Sequence, residues 1–97
     1  MVKCIAVVVI ASALAGCAHA KSSVGVPADA EHVVSRLGAC THFAGEINGD
    51  RSERDRQVYA AMTELRCETI DQDVLVIRNK YPNNQAVQGA LDAAGQP

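Results

Sequence analysis

With 97 residues, the chain has room for one small domain, and 9 Lys and Arg against 11 Asp and Glu leave a formal net charge of −2. That balance excludes the basic stripe of a nucleic-acid binder, and two Tyr, one Phe and no Trp leave little with which to stack sugars or bases. A Gly-rich phosphate loop, a G-x-S-x-G elbow and a Cys-x-x-Cys redox pair are all missing from the sequence.

In chain order, Lys3 supplies a positive N-terminus, and residues 5–14 form an apolar run of Ile, Ala, Val and Leu broken only by Ser12. A bilayer-spanning helix needs about 20 apolar residues, so this run has the length of the apolar centre of an export signal. Ala15 and Gly16 follow, small enough to leave the backbone open to a peptidase, and Cys17 stands just beyond them.

The stretch Leu14-Ala15-Gly16-Cys17 resembles the lipobox of bacterial lipoproteins. The resemblance implies a thioether to diacylglycerol on Cys17, removal of residues 1–16, and Cys17 as the new N-terminus. One acyl chain, at about 0.8 kcal/mol per buried methylene, holds a protein to a bilayer only marginally. Lipoproteins carry two or three, palmitate among them, which anchor stably. In the Gram-negative members an Asp directly after the lipidated cysteine tends to retain the protein at the inner membrane. The residue here is Ala18, which implies the periplasmic face of the outer membrane. An alternative stays open: Ala18-His19-Ala20 is an A-x-A pattern, and cleavage after Ala18 or Ala20 discards Cys17.

Removing sixteen residues leaves 81, and losing Lys3 takes the net charge from −2 to −3. Cys4 leaves with the signal and Cys17 is consumed by the lipid, so Cys40 and Cys67 remain as a pair. Two thiols in an oxidising compartment are most simply read as a disulfide, and closing a loop of this size stabilises by roughly 3 to 4 kcal/mol. Domains below about 70 to 80 residues seldom have enough core without such a staple.

Residues 18–27 are small and polar, with Ser22, Ser23, Gly25 and Pro27, and read as a flexible spacer off the membrane. From 28 to 97 the pattern is that of an all-α domain, a small bundle of three to four short helices stapled by the disulfide. Apolar residues recur at helical spacing in four sets: Val33, Leu37, Cys40; Val58, Met62, Leu65; Ile70, Val74, Ile77 with Tyr81; and Val87, Leu91, Ala94. Asp29 is a cap for the first helix, Asp50 with Glu53 for the second, Thr69 with Gln72 for the third, and Asn83 or Asn84 for the fourth. Pro82 stops the third helix and Gly95 suits the end of the last. A short strand over 74–77 is the rival to the third helix, because Val74, Leu75, Val76 and Ile77 favour β structure.

Neither Gly nor Pro interrupts residues 50–81, so the second and third helices could be one. Their apolar stripes lie roughly 120° apart at 100° per residue, which predicts a break between Arg66 and Thr69, with Cys67 on the side of Ile70 and Val74. The charged run 50–56 sums to zero; Asp50 with Arg54 and Arg51 with Asp55, each four apart, suggest a solvated helix face. A direct antiparallel hairpin of the first two helices would leave Cys67 about 20 Å from Cys40. Bridged cysteines need Cα atoms within about 7 Å. The expectation is therefore that helix one ends near Cys40 and that residues 41–49, with Gly45 and the Asn48-Gly49 turn signal, run loosely back along helix two.

Within that connection, His42 and Glu46 are candidate metal ligands or acid/base groups. A hydrolytic zinc site wants three protein ligands, and the remaining histidines are His19 on the spacer and His32 on the first helix. Cys40 would have to forgo its disulfide to join them. The competing role is structural, with Phe43 plugging the core and His42 and Glu46 satisfying backbone groups. No cofactor is expected. The primary expectation is thus a non-enzymatic, membrane-anchored module that binds an envelope protein, as inhibitor, immunity factor or assembly accessory. The alternative is a small metal-dependent or acid/base enzyme centred on His42 and Glu46. A membrane-active lipopeptide resembling the entericidins or bacteriocin-release lipoproteins fits less well, since those are much shorter and need no core, caps or staple.

Overall fold

A computed structural model describes residues 25–97; the export signal, the lipobox, Cys17 and residues 18–24 of the expected spacer lie outside them. The described chain contains four α-helices and no strand: α1 (Ala28–Ala44), α2 (Glu53–Glu64), α3 (Ile70–Lys80) and α4 (Gln85–Ala94), with a 3-10 turn at Cys67–Thr69 between α2 and α3. The run Val74-Leu75-Val76-Ile77 is therefore helical, with Ile77 buried and Leu75 and Val76 on the outer face.

The packed chain begins earlier than the spacer pattern suggested. Val26 packs against the core, and the Gly25 carbonyl accepts a hydrogen bond from Asn84 Nδ2 at 2.8 Å. Gly25 has φ +82, and a Cβ there would meet the Ala86 Cβ at 3.3 Å, so a close approach and a left-handed backbone both favour glycine.

Three helices enclose the core. Ala30, Val33 and Cys40 of α1, Ile70 and Ile77 of α3, and Val87 and Leu91 of α4 form one buried cluster, edged by Leu37, Leu65, Val74 and Tyr81. The stripes expected at these positions are thus the core-facing stripes. The pairings fix direction. Asp29 meets Lys80 and Tyr81 while Arg36 meets Asp73, so α1 and α3 run antiparallel. Arg78 meets Asp92 while Tyr81 meets Gln88, so α3 and α4 are antiparallel and α4 lies parallel to α1.

Helix α2 is outside this core. It packs on α1 and on the 3-10 turn, and it does not touch α3 or α4. Its buried residues are Val58 and Asp55. It begins two residues later than the Asp50–Glu53 pattern suggested, with its cap at Ser52 in place of Asp50. Gly49 and Arg51 both have positive φ, so a helix cannot include them, and Ser52 is the cap, its hydroxyl accepting from Asp55 N–H at 3.1 Å. The expected pairs of Asp50 with Arg54 and Arg51 with Asp55 do not form. Arg54 instead pairs with Glu46 and Arg56 with Glu53, while Asp55 turns inward.

The break expected between Arg66 and Thr69 is present: Arg66 has φ 56 and ψ 49, the left-handed conformation that ends a helix, and the 3-10 turn follows. Thr69 stands at the N-cap position of α3 as expected, but its side chain makes no capping bond; its hydroxyl donates to the Arg66 carbonyl at 3.2 Å. Asn84 caps α4, its Oδ1 accepting from Val87 N–H at 3.1 Å. Asp29 does not cap α1, whose N-cap is Pro27; it sits in the first turn, where its charge opposes the helix dipole favourably.

Cys40 and Cys67 are joined, with their Cα atoms 5.6 Å apart. Helix α1 does not end at Cys40, however, but continues through Ala44. The expected conflict between a longer helix and the bond does not arise because the two helices form no direct hairpin. Residues 45–52 carry the chain outward, and α2 then returns so that its C-terminal end, rather than its first turns, reaches Cys40.

Candidate functional site

Continuation of α1 past Cys40 brings the two candidate chemical residues together. His42 Nε2 lies 2.9 Å from Glu46 Oε2, one turn along, and the other Glu46 oxygen is held by the Arg54 guanidinium from the first turn of α2. Both carboxylate oxygens are therefore engaged. A guanidinium against the carboxylate also places a fixed positive charge where a metal cation would have to bind. The His42 ring is mostly exposed and meets Phe43 edge-on at a centroid distance of 5.5 Å. Phe43 does not plug the core; it is half-buried on the flank of α1, outside the buried cluster. His42 and Glu46 engage each other rather than backbone groups through their side chains, and the Glu46 N–H bonds the Phe43 carbonyl at 2.9 Å.

The further ligands that a metal site needs are not brought in. His32 stands ten residues earlier on α1, about 15 Å away along the helix axis at 1.5 Å per residue, and Cys40 is committed to its bond with Cys67. Among the described residues no group of three His, Cys, Asp or Glu side chains converges. His19 and Cys17 lie outside those residues.

Comparison with family models, curated proteins and solved structures gives no match. The site must be judged from its own geometry.

Three polar nodes that the sequence did not reveal organise the molecule. Arg36, with 11% of its side chain exposed, donates from Nε to the Leu65 carbonyl at 2.9 Å, from Nη2 to the Arg66 carbonyl at 3.0 Å and from Nη1 to Asp73 Oδ2 at 2.8 Å. One guanidinium thus caps the end of α2 and ties it to α3. The fork geometry suits arginine and not lysine. Asp55, 2% exposed, accepts from the backbone N–H groups of Asn48, Gly49 and Asp50 at 3.0, 2.7 and 3.3 Å, folding the preceding loop onto the start of α2. Asp29 accepts from Lys80 Nζ at 2.6 Å and from the Tyr81 hydroxyl at 2.8 Å. Hydrogen bonds from Lys80 first and Tyr81 second hold the Asp29 carboxyl below its ordinary value. Lys80 and Tyr81 are both raised, chiefly by the same carboxylate.

These nodes serve packing. Among the described residues every buried side-chain nitrogen and oxygen has a partner. Gln88 repeats on α3 what Arg36 does on α2, its amide donating to the Tyr81 carbonyl at 2.9 Å and the Arg78 carbonyl at 3.3 Å. What remains outward is a set of large side chains. Tyr59 on α2 is 55% exposed, and Leu75 and Val76 on α3 are 53% and 60% exposed. An open groove of about 670 Å³ runs past the disulfide, walled by Leu37, Met62, Ile70 and Val74.

Proposed function

We propose that the protein is a membrane-anchored lipoprotein of the cell envelope that acts as a non-enzymatic protein-binding module, as inhibitor, immunity factor or assembly accessory. The observation that carries the anchor is the order of the N-terminal elements: Lys3, the apolar run, the small pair Ala15-Gly16, and Cys17. Acyl chains on Cys17 hold it at the membrane, most naturally at the periplasmic face of the outer membrane given Ala18.

Two features support a binding role. The polar clusters are consumed by internal hydrogen bonds, whereas Tyr59, Leu75 and Val76 stand outward on α2 and α3, and aromatic and aliphatic side chains of this kind are what protein interfaces bury. The test is mass spectrometry of protein purified from membranes, with cross-linking in intact cells. A lipid-modified Cys17 as N-terminus, loss of membrane attachment in Cys17→Ser, and a reproducible cross-linked protein partner are expected. An unmodified N-terminus at His19 or Lys21, or cross-linking that recovers lipid and no protein, sinks the proposal.

The alternative is an enzyme centred on His42 and Glu46. It has in its favour the 2.9 Å approach of imidazole to carboxylate, and against it the Arg54 guanidinium on the same carboxylate. Metal analysis of purified protein decides it, with His42→Ala as control. Stoichiometric zinc lost in that variant would establish the metal site.

A further inference from the structure

The geometry points to the Cys40–Cys67 bond as a redox latch on one helix rather than a staple for the whole domain: reduction releases residues 45–66, including α2, and leaves α1, α3 and α4 packed. None of this rests on the membrane anchor.

The division follows from where the contacts are. The buried cluster draws its residues from α1, α3 and α4 and none from α2. The side-chain hydrogen bonds that lace those three helices, Asp29 to Lys80 and Tyr81, Arg78 to Gln88 and Asp92, and Asn84 to Gly25, also involve no residue of α2. Helix α2 packs on α1 through a narrow face on which Val58 is its one buried apolar side chain, and its other ties to the remainder are at its C-terminal end: the disulfide, the Arg36 bonds to the Leu65 and Arg66 carbonyls, and the partly buried Leu65. Asp55 and Ser52 tie α2 to its own preceding loop and not to the bundle. A 12-residue helix is marginal in water without tertiary support, and one buried apolar side chain supplies little of it, so its order depends chiefly on the attachment at its end.

The two sulfurs are also unequal. Cys40 is buried, whereas Cys67 is half-buried in the 3-10 turn, and both line the open groove. A dithiol reductant therefore reaches the Cys67 sulfur first. Its thiolate bonds to Cys67 Sγ as the bond to Cys40 breaks, and Cys40 departs as a thiolate and takes up a proton. The second thiol of the reductant then displaces Cys67, giving two free cysteines and an oxidised, cyclic disulfide in the reductant. Release of α2 removes the Met62 wall of the groove and opens the face formed by Leu37 and Ile70.

The experiment is hydrogen exchange read by mass spectrometry on residues 17–97, oxidised and after reduction with dithiothreitol, with Cys40→Ser/Cys67→Ser as a second route to the open form. In the reduced chain, peptides covering 53–64 should exchange at close to the unfolded rate, at least ten-fold faster than in the oxidised chain, while peptides holding Ile77, Val87 and Leu91 retain protection. Unfolded-rate exchange along the entire reduced chain would show a staple for the whole domain and overturn the proposal. Unchanged protection in α2 would overturn it as well, by showing that Val58, Arg36 and Leu65 suffice. Because the reduced natural chain is itself measured, a double variant that fails to fold does not remove the test.

Discussion

The bundle of α1, α3 and α4 and the excursion of residues 45–66 are held by different forces. In the bundle, aliphatic side chains close on one another, with Ala30, Val87 and Leu91 almost wholly out of water. In the excursion Val58 is the one buried aliphatic side chain, and the other fixed points are mostly polar or covalent: Asp55 under its loop, Arg36 across two carbonyls, and the disulfide. The contrast shows how a short chain can carry an extra helix without a second core. The helix is attached by a capped end and a narrow inner face at Val58, which leaves its outer surface, Tyr59 included, directed outward. Removing an aliphatic side chain from the bundle should therefore loosen the whole domain, and removing a polar anchor from the excursion should act locally.

The largest effect is expected for Leu91→Ala. Leu91 is 1% exposed at the centre of the cluster, and truncation loses its transfer energy and leaves a cavity, a cost of about 2 to 5 kcal/mol. Chemical denaturation should show an earlier midpoint, and exchange should accelerate in all three bundle helices. A change confined to α4 would break the idea of one shared core. Next is Asp55→Ala, expected to cost about 2 kcal/mol, because three backbone donors lose a charged acceptor. Its signature is faster exchange at Asn48, Gly49, Asp50 and α2, with Leu91 little affected; Asp55→Asn should recover part of the loss.

Arg36→Met should follow, at roughly 1 to 2 kcal/mol. The long apolar stem is kept while the bonds to Leu65, Arg66 and Asp73 are lost, and the freed carbonyls can turn to water. With the disulfide intact the last turn of α2 should fray without detaching, visible as faster exchange near residues 62–69. Arg36→Lys should rescue little, since an ammonium cannot span the three acceptors.

Much of the bundle was legible in the sequence because its signals are local. Stripes at i, i+4 and i+7, the phase change near Arg66, the stop at Pro82 and the cap at Asn84 depend on neighbours in the chain. The cysteine pair followed from elimination. The excursion was less legible for two reasons. Asp50-x-x-Glu53 and Ser52-x-x-Asp55 both match a capping pattern, and what decides between them is the positive φ of Gly49 and Arg51. Arg36 finds its partners 29 to 37 residues away, which no local periodicity encodes. The meeting of His42 and Glu46 depended on α1 outlasting Cys40, and the Arg54 that occupies the carboxylate comes from beyond the loop, so its contact with the pair could not be read in advance.

The smallest expected effect lies where the start of α1 meets the end of α3, at Asp29, Lys80 and Tyr81, whose bonds belong to the bundle yet lie in water. Asp29 is lowered below its ordinary 3.8 in the folded chain, so its contribution is fully present above that value and is lost as pH falls through the lower folded value. Lys80 is raised above its ordinary 10.5, so its contribution is present below that value and disappears as pH climbs through the folded one. Between those limits the pair is insensitive to pH, and since all three groups are open to solvent, salt should weaken it. Carbon-detected NMR of the Asp29 carboxyl should give a midpoint below 3.8, returning toward it in Lys80→Met and shifting part of the way in Tyr81→Phe. The order matters, because Lys80 is the larger cause. An Asp29 that titrates at its ordinary value in the unaltered protein would mean that α1 and α3 are joined at this end by apolar packing around Ala30, Val33 and Ile77, and that the polar bonds fixing the bundle are those of Arg36, Arg78, Asn84 and Gln88.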